Sequence, residues 1–274
     1  MNILQALYLG ILQGFTEFLP ISSSAHLVLA QHCLGLREPQ LFFDVAVHVG
    51  TLMAVFVLFR SDLALMAKGC LESLHRSNPQ QYRADSTTVS IGVTLTLMIL
   101  LGSVPTFLIG FFLRDVFNRF FASPFTVGIG LWITGLFLIW SRWATSHRKH
   151  LDSPSWLDAL MIGLTQGGAI TPGVSRSGVT ITVGLLLGLK PELAFRFSFL
   201  LSIPAILGAL AFEVFHADGN HPEWVVVAVG FLSAFLVGWA ALRLLQSLVS
   251  RGKFFYFSPY CFVLGAIAFL IAYP

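Results

Sequence analysis

Residues 10–26 read GILQGFTEFLPISSSAH, and residues 163–179 read GLTQGGAITPGVSRSGV, a second version of the same stretch 153 residues further along the chain. An overlay without gaps gives five identical pairs: Gly10 and Gly163, Gln13 and Gln166, Gly14 and Gly167, Ser22 and Ser175, and Ser24 and Ser177. The chain is therefore predicted to be a duplication. In each copy Pro, Gly and Ser interrupt an apolar helix, at residues 20–26 (the first break) and 172–178 (the second break). Membranes tolerate such breaks only where protein or a polar cavity covers the backbone, so we expect the functional site at the two breaks.

The composition of the chain is that of an integral membrane protein. Of 274 residues, 56% are hydrophobic and 11% are charged, and the mean hydropathy is +0.81, far more apolar than a soluble domain. The formal net charge is +3, but the basic residues are scattered through short loops. This scatter indicates membrane orientation and excludes a nucleic-acid partner.

The hydropathy pattern predicts an all-α polytopic membrane protein. A spanning helix needs about 20 largely apolar residues, and six stretches meet this requirement: 41–60, 88–113, 121–141, 193–213, 223–248 and 254–273. Two further stretches, 1–35 and 156–190, are broken centrally and are interpreted as re-entrant helical hairpins. Because three spans follow each hairpin, the second copy must be inserted upside down. We therefore predict one membrane domain over 1–274, an inverted-topology repeat of about 1–141 and 156–273 joined by a linker at 142–155.

The positive charges predict the orientation of this domain. Twelve basic residues fall on one side of the predicted membrane: Arg60, Lys68, Arg76, Arg83, Arg142, Arg148, Lys149, Lys190, Arg196, Arg243, Arg251 and Lys253. Three fall on the other side: Arg37, Arg114 and Arg119. By the positive-inside rule the 61–87 loop and the 142–155 linker are cytoplasmic, and both termini are outside. Arg196, near the cytoplasmic end of its span, is expected to extend its head group to the interface.

Gln13 and Glu17 lie four residues apart, so on a helix they share one face next to Gly10 and Gly14. Ionisable groups within membrane segments are costly and are usually functional. Two oxygen ligands of this kind favour a hard divalent cation, Mg²⁺ or Ca²⁺. The alternative is that Glu17 lies near an interface and only makes hydrogen bonds.

Ser22, Ser23, Ser24 and His26 lie at the turn of the first break. A hydroxyl beside an imidazole is the minimum for nucleophilic attack assisted by a general base. The alternative is that the serines cap the following half-helix.

The second break combines Gly173, Ser175, Arg176, Ser177 and Thr180. Glycines let backbone N–H groups converge, the following helix offers its positive N-terminus, and an Arg side chain grips phosphate with two parallel hydrogen bonds. The pattern predicts a phosphate cradle, and the alternative is a structural ion pair between Arg176 and Glu17. Asp44 and His48 form another polar pair, which either lines the mouth of the same cavity or marks a solvated helix end.

Four motifs together resemble the undecaprenyl-diphosphatase family, the bacitracin-resistance proteins, along the whole chain. They are Gln13-x-x-x-Glu17, Ser22-Ser23-Ser24-Ala25-His26, Pro172-Gly173-x-Ser175-Arg176-Ser177-x-x-Thr180, and Phe197-Ser198-Phe199-Leu200-Leu201-x-x-Pro204. The resemblance implies a bacterial inner-membrane enzyme that hydrolyses undecaprenyl diphosphate to undecaprenyl phosphate and inorganic phosphate. This reaction recycles the lipid carrier for cell-wall synthesis and gives bacitracin resistance. The resemblance also implies a periplasmic active site that depends on a divalent cation.

The resemblance assigns roles residue by residue. Glu17 and Gln13 would bind the metal, although Gln13, where the family also has Glu, carries no charge. Ser23 and His26 would carry the reaction, and Ser175, Arg176 and Thr180 would bind the diphosphate, with Ser22, Ser24, Gly173 and Ser177 beside them. The partners expected are the polyprenyl diphosphate, membrane lipids and, as an open alternative, a second copy in a homodimer.

Two questions remain open at this point. Either Ser23 attacks the terminal phosphorus with His26 as general base, or a water molecule activated by His26 attacks directly. The second concerns the class of protein: inverted repeats with broken helices are typical of secondary transporters, so a lipid-phosphate flippase using the same cavity is the alternative function.

Overall fold

The computed structural model describes residues 1–36, 41–75, 86–121, 123–144, 153–216 and 223–272. Within these ranges the chain forms twelve α-helices, which confirms an all-α architecture. Their bounds are α1 Ile3–Phe18, α2 Ser23–Cys33, α3 Leu41–Leu58, α4 Arg60–His75, α5 Ser86–Phe112, α6 Arg114–Phe121, α7 Pro124–Ala144, α8 Trp156–Gly168, α9 Arg176–Leu186, α10 Pro191–His216, α11 Trp224–Ser250 and α12 Ser258–Ala272. A 3-10 helix, Phe254–Phe257, leads into α12.

The long helices agree with the six predicted spans. Five helical segments are long and apolar enough to cross a membrane: Val89–Phe112, Pro124–Ala144, Pro191–Ala211, Trp224–Ser250 and Phe254–Ala272. A sixth crossing results if α3 and α4, which meet at a bend of 74°, form one broken span. The chain is therefore a multi-span membrane protein.

The interpretation of 61–87 as a loop is wrong for its first half, because Arg60–His75 is helical. This helix packs closely on α5: a Cβ placed at Gly69 would lie 3.0 Å from the carbonyl oxygen of Val89. Its mixed polar and apolar sequence has a low hydropathy and therefore does not resemble a membrane span. The helix is stabilised instead by packing against α5. The rest of that segment, 76–85, and most of the linker, 145–152, lie outside the described residues.

Arg196, which was expected to extend its head group to the interface, has a protein partner, and its position relative to the interface stays a prediction. Its guanidinium forms an ion pair with Asp62 near the start of α4, and both side chains are only partly exposed. Next to this pair, the rings of Phe59, Phe195 and Phe199 pack together, with centroids 4.8 to 6.3 Å apart. The ion pair thus joins α4 to α10 at the end of the bundle where α3 bends into α4.

Each break separates two short helices, α1 from α2 and α8 from α9. Both leading helices start with a reciprocal capping box, Asn2 with Gln5 and Ser155 with Asp158, and these positions are equivalent in the overlay of the two copies. Their glycines allow close contacts, α1 with α11 and α8 with α5. These matching pairings support the duplication, while the inverted insertion and the re-entrant path remain predictions.

Candidate functional site

The two breaks meet in the interior of the bundle. Ser177 donates a hydrogen bond of 2.8 Å to the carbonyl oxygen of Phe18, at the end of α1. A Cβ placed at Gly178 would lie 3.3 Å from the Cβ of Pro20, so a larger residue there would press on the first break. The residues that the sequence singled out in the two copies therefore belong to one site.

The centre of this site is the carboxylate of Glu17, whose side chain is only 8% exposed. Its Oε1 accepts a hydrogen bond of 2.8 Å from Nη2 of Arg176. Its Oε2 accepts two more, 2.7 Å from the hydroxyl of Ser23 and 3.1 Å from Nε2 of Gln13. Three donors from both halves of the chain therefore converge on one buried carboxyl group.

Arg176 connects the two halves of the site. Its ion pair with Glu17, which the sequence left as an alternative to phosphate binding, is present. Only one arm of the guanidinium is used in this pair, because Nη1 is buried and has no hydrogen-bond partner among the described residues. An unsatisfied buried donor is costly, and a phosphate oxygen would satisfy it. The ion pair is thus present, and phosphate binding by the other arm of Arg176 stays a prediction.

The backbone of the second break is shaped by glycine and held by α7. Gly173 has a φ of 84°, in the left-handed region that favours glycine. The hydroxyl of Thr134 lies 3.2 Å from the carbonyl oxygen of Gly173 and accepts a hydrogen bond of 2.8 Å from the backbone N–H of Ser175. The Ser175 side chain in turn caps α9 by accepting from the N–H of Gly178 at 3.2 Å. The N-terminus of α9 is thereby fixed next to Arg176.

The hydroxyls predicted to surround a phosphate already have protein partners. Thr180 donates to the carbonyl oxygen of Arg176 at 2.7 Å, and its oxygen lies 2.6 Å from the hydroxyl of Ser198. Ser175 and Ser177 are 3.3 Å apart, and all three predicted residues are at most 3% exposed. In the structure these hydroxyls shape the break around Arg176.

The first break differs from the sequence prediction in one important pairing: the hydrogen bonds of His26 in the described structure go to other groups than Ser23. Nδ1 of His26 lies 2.8 Å from the carbonyl oxygen of Ser22, and its Nε2 lies 2.7 Å from the hydroxyl of Tyr260. The proton acceptor next to Ser23 is Glu17, so the expected pairing of this serine with an imidazole base is replaced by pairing with a carboxylate. Ser22 has a φ of 68°, and its hydroxyl lies 3.4 Å from that of Ser24.

Two residues near the site were not assigned a role by the sequence: His48 was left with two interpretations, and Tyr260 was not singled out. His48 lies with Nε2 3.9 Å from Oε2 of Glu17, which supports the cavity interpretation of the Asp44 and His48 pair. Its Nδ1 contacts the carbonyl oxygen of Asp44 at 2.7 Å, and the Asp44 carboxylate accepts from Gln31 at 2.6 Å. Tyr260, 234 residues from His26, had no signal in the sequence pattern.

The side-chain oxygens of Glu17 and Gln13 fit a divalent cation that takes most of its ligands from substrate phosphates and water. The described part of the chain contains no group of three His, Cys, Asp or Glu side chains arranged for a metal. Next to Glu17, however, Oε1 of Gln13 is buried and lacks a partner within the described ranges. One carboxylate and one amide oxygen match the sparse protein ligation of Mg²⁺ when substrate phosphates and water complete the shell.

Known proteins resemble this chain over its full length, as the sequence motifs predicted. The family model described as bacitracin resistance protein BacA matches residues 6–267. The chain is 44% identical over 276 residues to an undecaprenyl-diphosphatase of Desulfosudis oleivorans, with 99% of each chain covered. It is 41% identical over 281 residues to an undecaprenyl-diphosphatase of Desulforapulum autotrophicum, covering 100% of this chain and 99% of the relative. Another, from Korarchaeum cryptofilum, is 44% identical over 268 residues, with 97% of each chain covered. The chain therefore belongs to the bacitracin resistance protein BacA family.

Proposed function

We propose that this protein hydrolyses undecaprenyl diphosphate to undecaprenyl phosphate and inorganic phosphate, and so recycles a lipid carrier for cell-wall synthesis and gives resistance to bacitracin. The observation that supports this best is the arrangement of Arg176. One arm holds the carboxylate of Glu17, and the other is a buried donor without a partner at the N-terminus of α9. This arrangement suits the terminal phosphate of a lipid diphosphate.

The second break binds the substrate. Nη1 of Arg176 donates to a phosphate oxygen, and the N-terminus of α9 adds the positive end of the helix dipole. Because these groups are buried and held in place by Thr134 and Ser175, they stabilise the charge that develops on phosphorus without reorganising. The prenyl chain lies among the apolar spans.

The first break supplies the attacking group. The Ser23 hydroxyl already donates to Oε2 of Glu17, so its proton passes to this carboxylate as Oγ forms a bond to the terminal phosphorus. The bond between this phosphorus and the bridging oxygen breaks, and prenyl monophosphate leaves. Water then attacks the phosphorus of the phosphoserine, with His26 taking a proton from the water. The bond between Oγ and phosphorus breaks, Glu17 returns its proton to Oγ of Ser23, and inorganic phosphate is released. Direct attack by water next to Glu17 is the competing route.

A divalent cation is part of the proposal. Oε1 of Gln13 and the carboxylate of Glu17 would hold Mg²⁺ or Ca²⁺ together with the diphosphate oxygens. Such an ion would supply charge neutralisation on the phosphates.

The proposed orientation follows from the positive charges. With twelve basic residues assigned to the cytoplasmic side against three outside, both termini and the two breaks face the periplasm of a bacterial inner membrane. Cysteine labelling of intact cells at the N-terminus tests this orientation. Light scattering of the detergent-solubilised protein distinguishes a monomer from the homodimer that the sequence left open.

The function is tested with purified protein in detergent, where no two membrane sides exist. We expect one inorganic phosphate per molecule of undecaprenyl diphosphate, together with the monophosphate lipid, and loss of this activity when a chelator is added. If the purified protein bound the lipid without releasing phosphate, with or without added Mg²⁺ or Ca²⁺, the proposal would be refuted.

The nucleophile needs its own experiment. Mass spectrometry of protein quenched during turnover is expected to show phosphate on Ser23. Wild-type rates in Ser23→Ala would instead assign the attack to water.

A further inference from the structure

Tyr260 is the only described residue outside the first break that hydrogen-bonds the His26 side chain. Its hydroxyl lies 2.7 Å from Nε2 of His26, and the two rings are nearly parallel, 10° apart, with centroids 5.9 Å apart. A carbonyl oxygen only accepts hydrogen bonds, so Nδ1 of His26, next to the Ser22 carbonyl, carries the hydrogen. In the neutral imidazole Nε2 is then the acceptor, and Tyr260 donates to it.

Helix α12, which carries Tyr260, contacts the backbone of the first break in the same way as α7 contacts that of the second. The thiol of Cys261 donates to the carbonyl oxygen of Pro20 at 3.3 Å, and the hydroxyl of Thr134 lies within hydrogen-bond distance, 3.2 Å, of the carbonyl oxygen of Gly173. Pro20 and Gly173 are equivalent in the overlay of the two copies. Cys261 in α12 and Thr134 in α7 therefore occupy corresponding places.

This correspondence identifies the counterparts of the Tyr260 and His26 pair. The residue before Thr134 is Ile133, and the residue equivalent to His26 is Val179, so two apolar side chains correspond at the second break to the hydroxyl and the imidazole at the first break. The contact between α7 and the second break therefore forms without a polar pair at this position. Tyr260 and His26 meet at the first break, where Ser23 contacts Glu17.

We infer that Tyr260 is a positioning residue for His26. Its hydroxyl fixes the orientation of the imidazole, and the Ser22 carbonyl sets the tautomer with an unprotonated Nε2, which takes a proton from water once a water molecule replaces the hydroxyl. Among the described residues the Tyr260 hydroxyl hydrogen-bonds His26 and neither Ser23 nor Glu17, so it acts through His26. The inference rests on the proposed function, in which His26 assists hydrolysis of the phosphoserine.

The test is phosphate release from undecaprenyl diphosphate by purified Tyr260→Phe, which keeps the ring and removes only the hydroxyl. We expect kcat to fall about tenfold, less than the roughly 10²- to 10⁴-fold contribution of a general base itself, with KM within about twofold of wild type. The matched control is Tyr256→Phe, the same change in an exposed tyrosine of the preceding 3-10 helix, which should keep the wild-type rate.

A double-mutant cycle with His26→Ala separates positioning from general structural support. If Tyr260 acts through His26, adding Tyr260→Phe to His26→Ala lowers kcat no further. An equal fold-loss in both backgrounds, or a wild-type rate in Tyr260→Phe alone, would overturn the inference and leave the proposed function standing. A wild-type protein that releases no phosphate would overturn the proposed function and this inference with it.

Discussion

Glu17→Gln changes the charge at the centre of the site while keeping its shape. The amide oxygen can still accept from Nη2 of Arg176, which lies 2.8 Å from Oε1 in the wild type. The amide nitrogen takes the place of Oε2, where Ser23 and Gln13 both donate, at 2.7 and 3.1 Å. An amide N–H donates and cannot take up a proton, so Ser23 loses its proton acceptor.

The expected effect is on turnover rather than on substrate binding. Removing a proton acceptor costs about 10²- to 10⁴-fold in kcat, or about 3 to 5 kcal/mol of barrier. Arg176 keeps its free arm and is no longer neutralised by a carboxylate, so KM for undecaprenyl diphosphate should stay equal or fall. A large loss of kcat without a rise in KM is therefore the specific signature of a carboxylate that acts in the chemical step.

The assay is phosphate release over a range of lipid concentrations, with thermal unfolding measured to verify folding. Glu192→Gln is the matched control, because Glu192 is exposed in the first turn of α10, and it should behave as wild type. A Glu17→Gln protein with kcat within about threefold of wild type, or with a defect confined to KM, would refute the assigned role.

Three further predictions concern the scaffold that holds the site. Gly173→Ala forces a side chain at a φ of 84° and against the backbone of α7, so we expect loss of activity and a lower unfolding temperature, whereas Gly208→Ala, with open space around it, should be neutral. Thr134→Val keeps the shape but removes the hydroxyl that contacts the buried carbonyl of Gly173 and the buried N–H of Ser175, which should cost about 1–3 kcal/mol of stability for each group left unsatisfied; unchanged thermal unfolding would contradict this. Asp62→Asn removes the charge paired with Arg196, so it should lower the unfolding temperature more than it lowers kcat, and a selective loss of kcat would show that this end of the bundle takes part in the reaction.

Much of the fold could be predicted because the membrane makes hydropathy decisive. A spanning helix must be long and apolar, and a break in one must be covered by protein, so six spans and two breaks could be found in the sequence. Helix α4 was missed because a helix with polar and apolar faces owes its stability to packing on α5, which no local pattern records.

The composition of the site was easier to predict than its pairings. The duplication indicated that the two breaks would come together, and Glu17 and Arg176 do meet. The partner of Ser23 was predicted wrongly, because the short spacing from Ser23 to His26 suggested a contact. His26 is instead hydrogen-bonded by Tyr260, near the other end of the sequence. A contact over that sequence distance forms only on folding, so no local pattern predicts it.

Phosphate release by two single variants, one from each break, tests most directly the claim that the breaks form one hydrolytic site. Ser23→Ala and Arg176→Ala would be compared with wild type in detergent, on undecaprenyl diphosphate, after thermal unfolding has shown that both are folded. A shared site predicts that wild type releases phosphate and that each variant loses roughly 100-fold or more of kcat/KM. A wild-type rate in Ser23→Ala alone would assign the attack to water, whereas wild-type kcat/KM in folded Arg176→Ala would show that the second break is not part of the site and would contradict the claim.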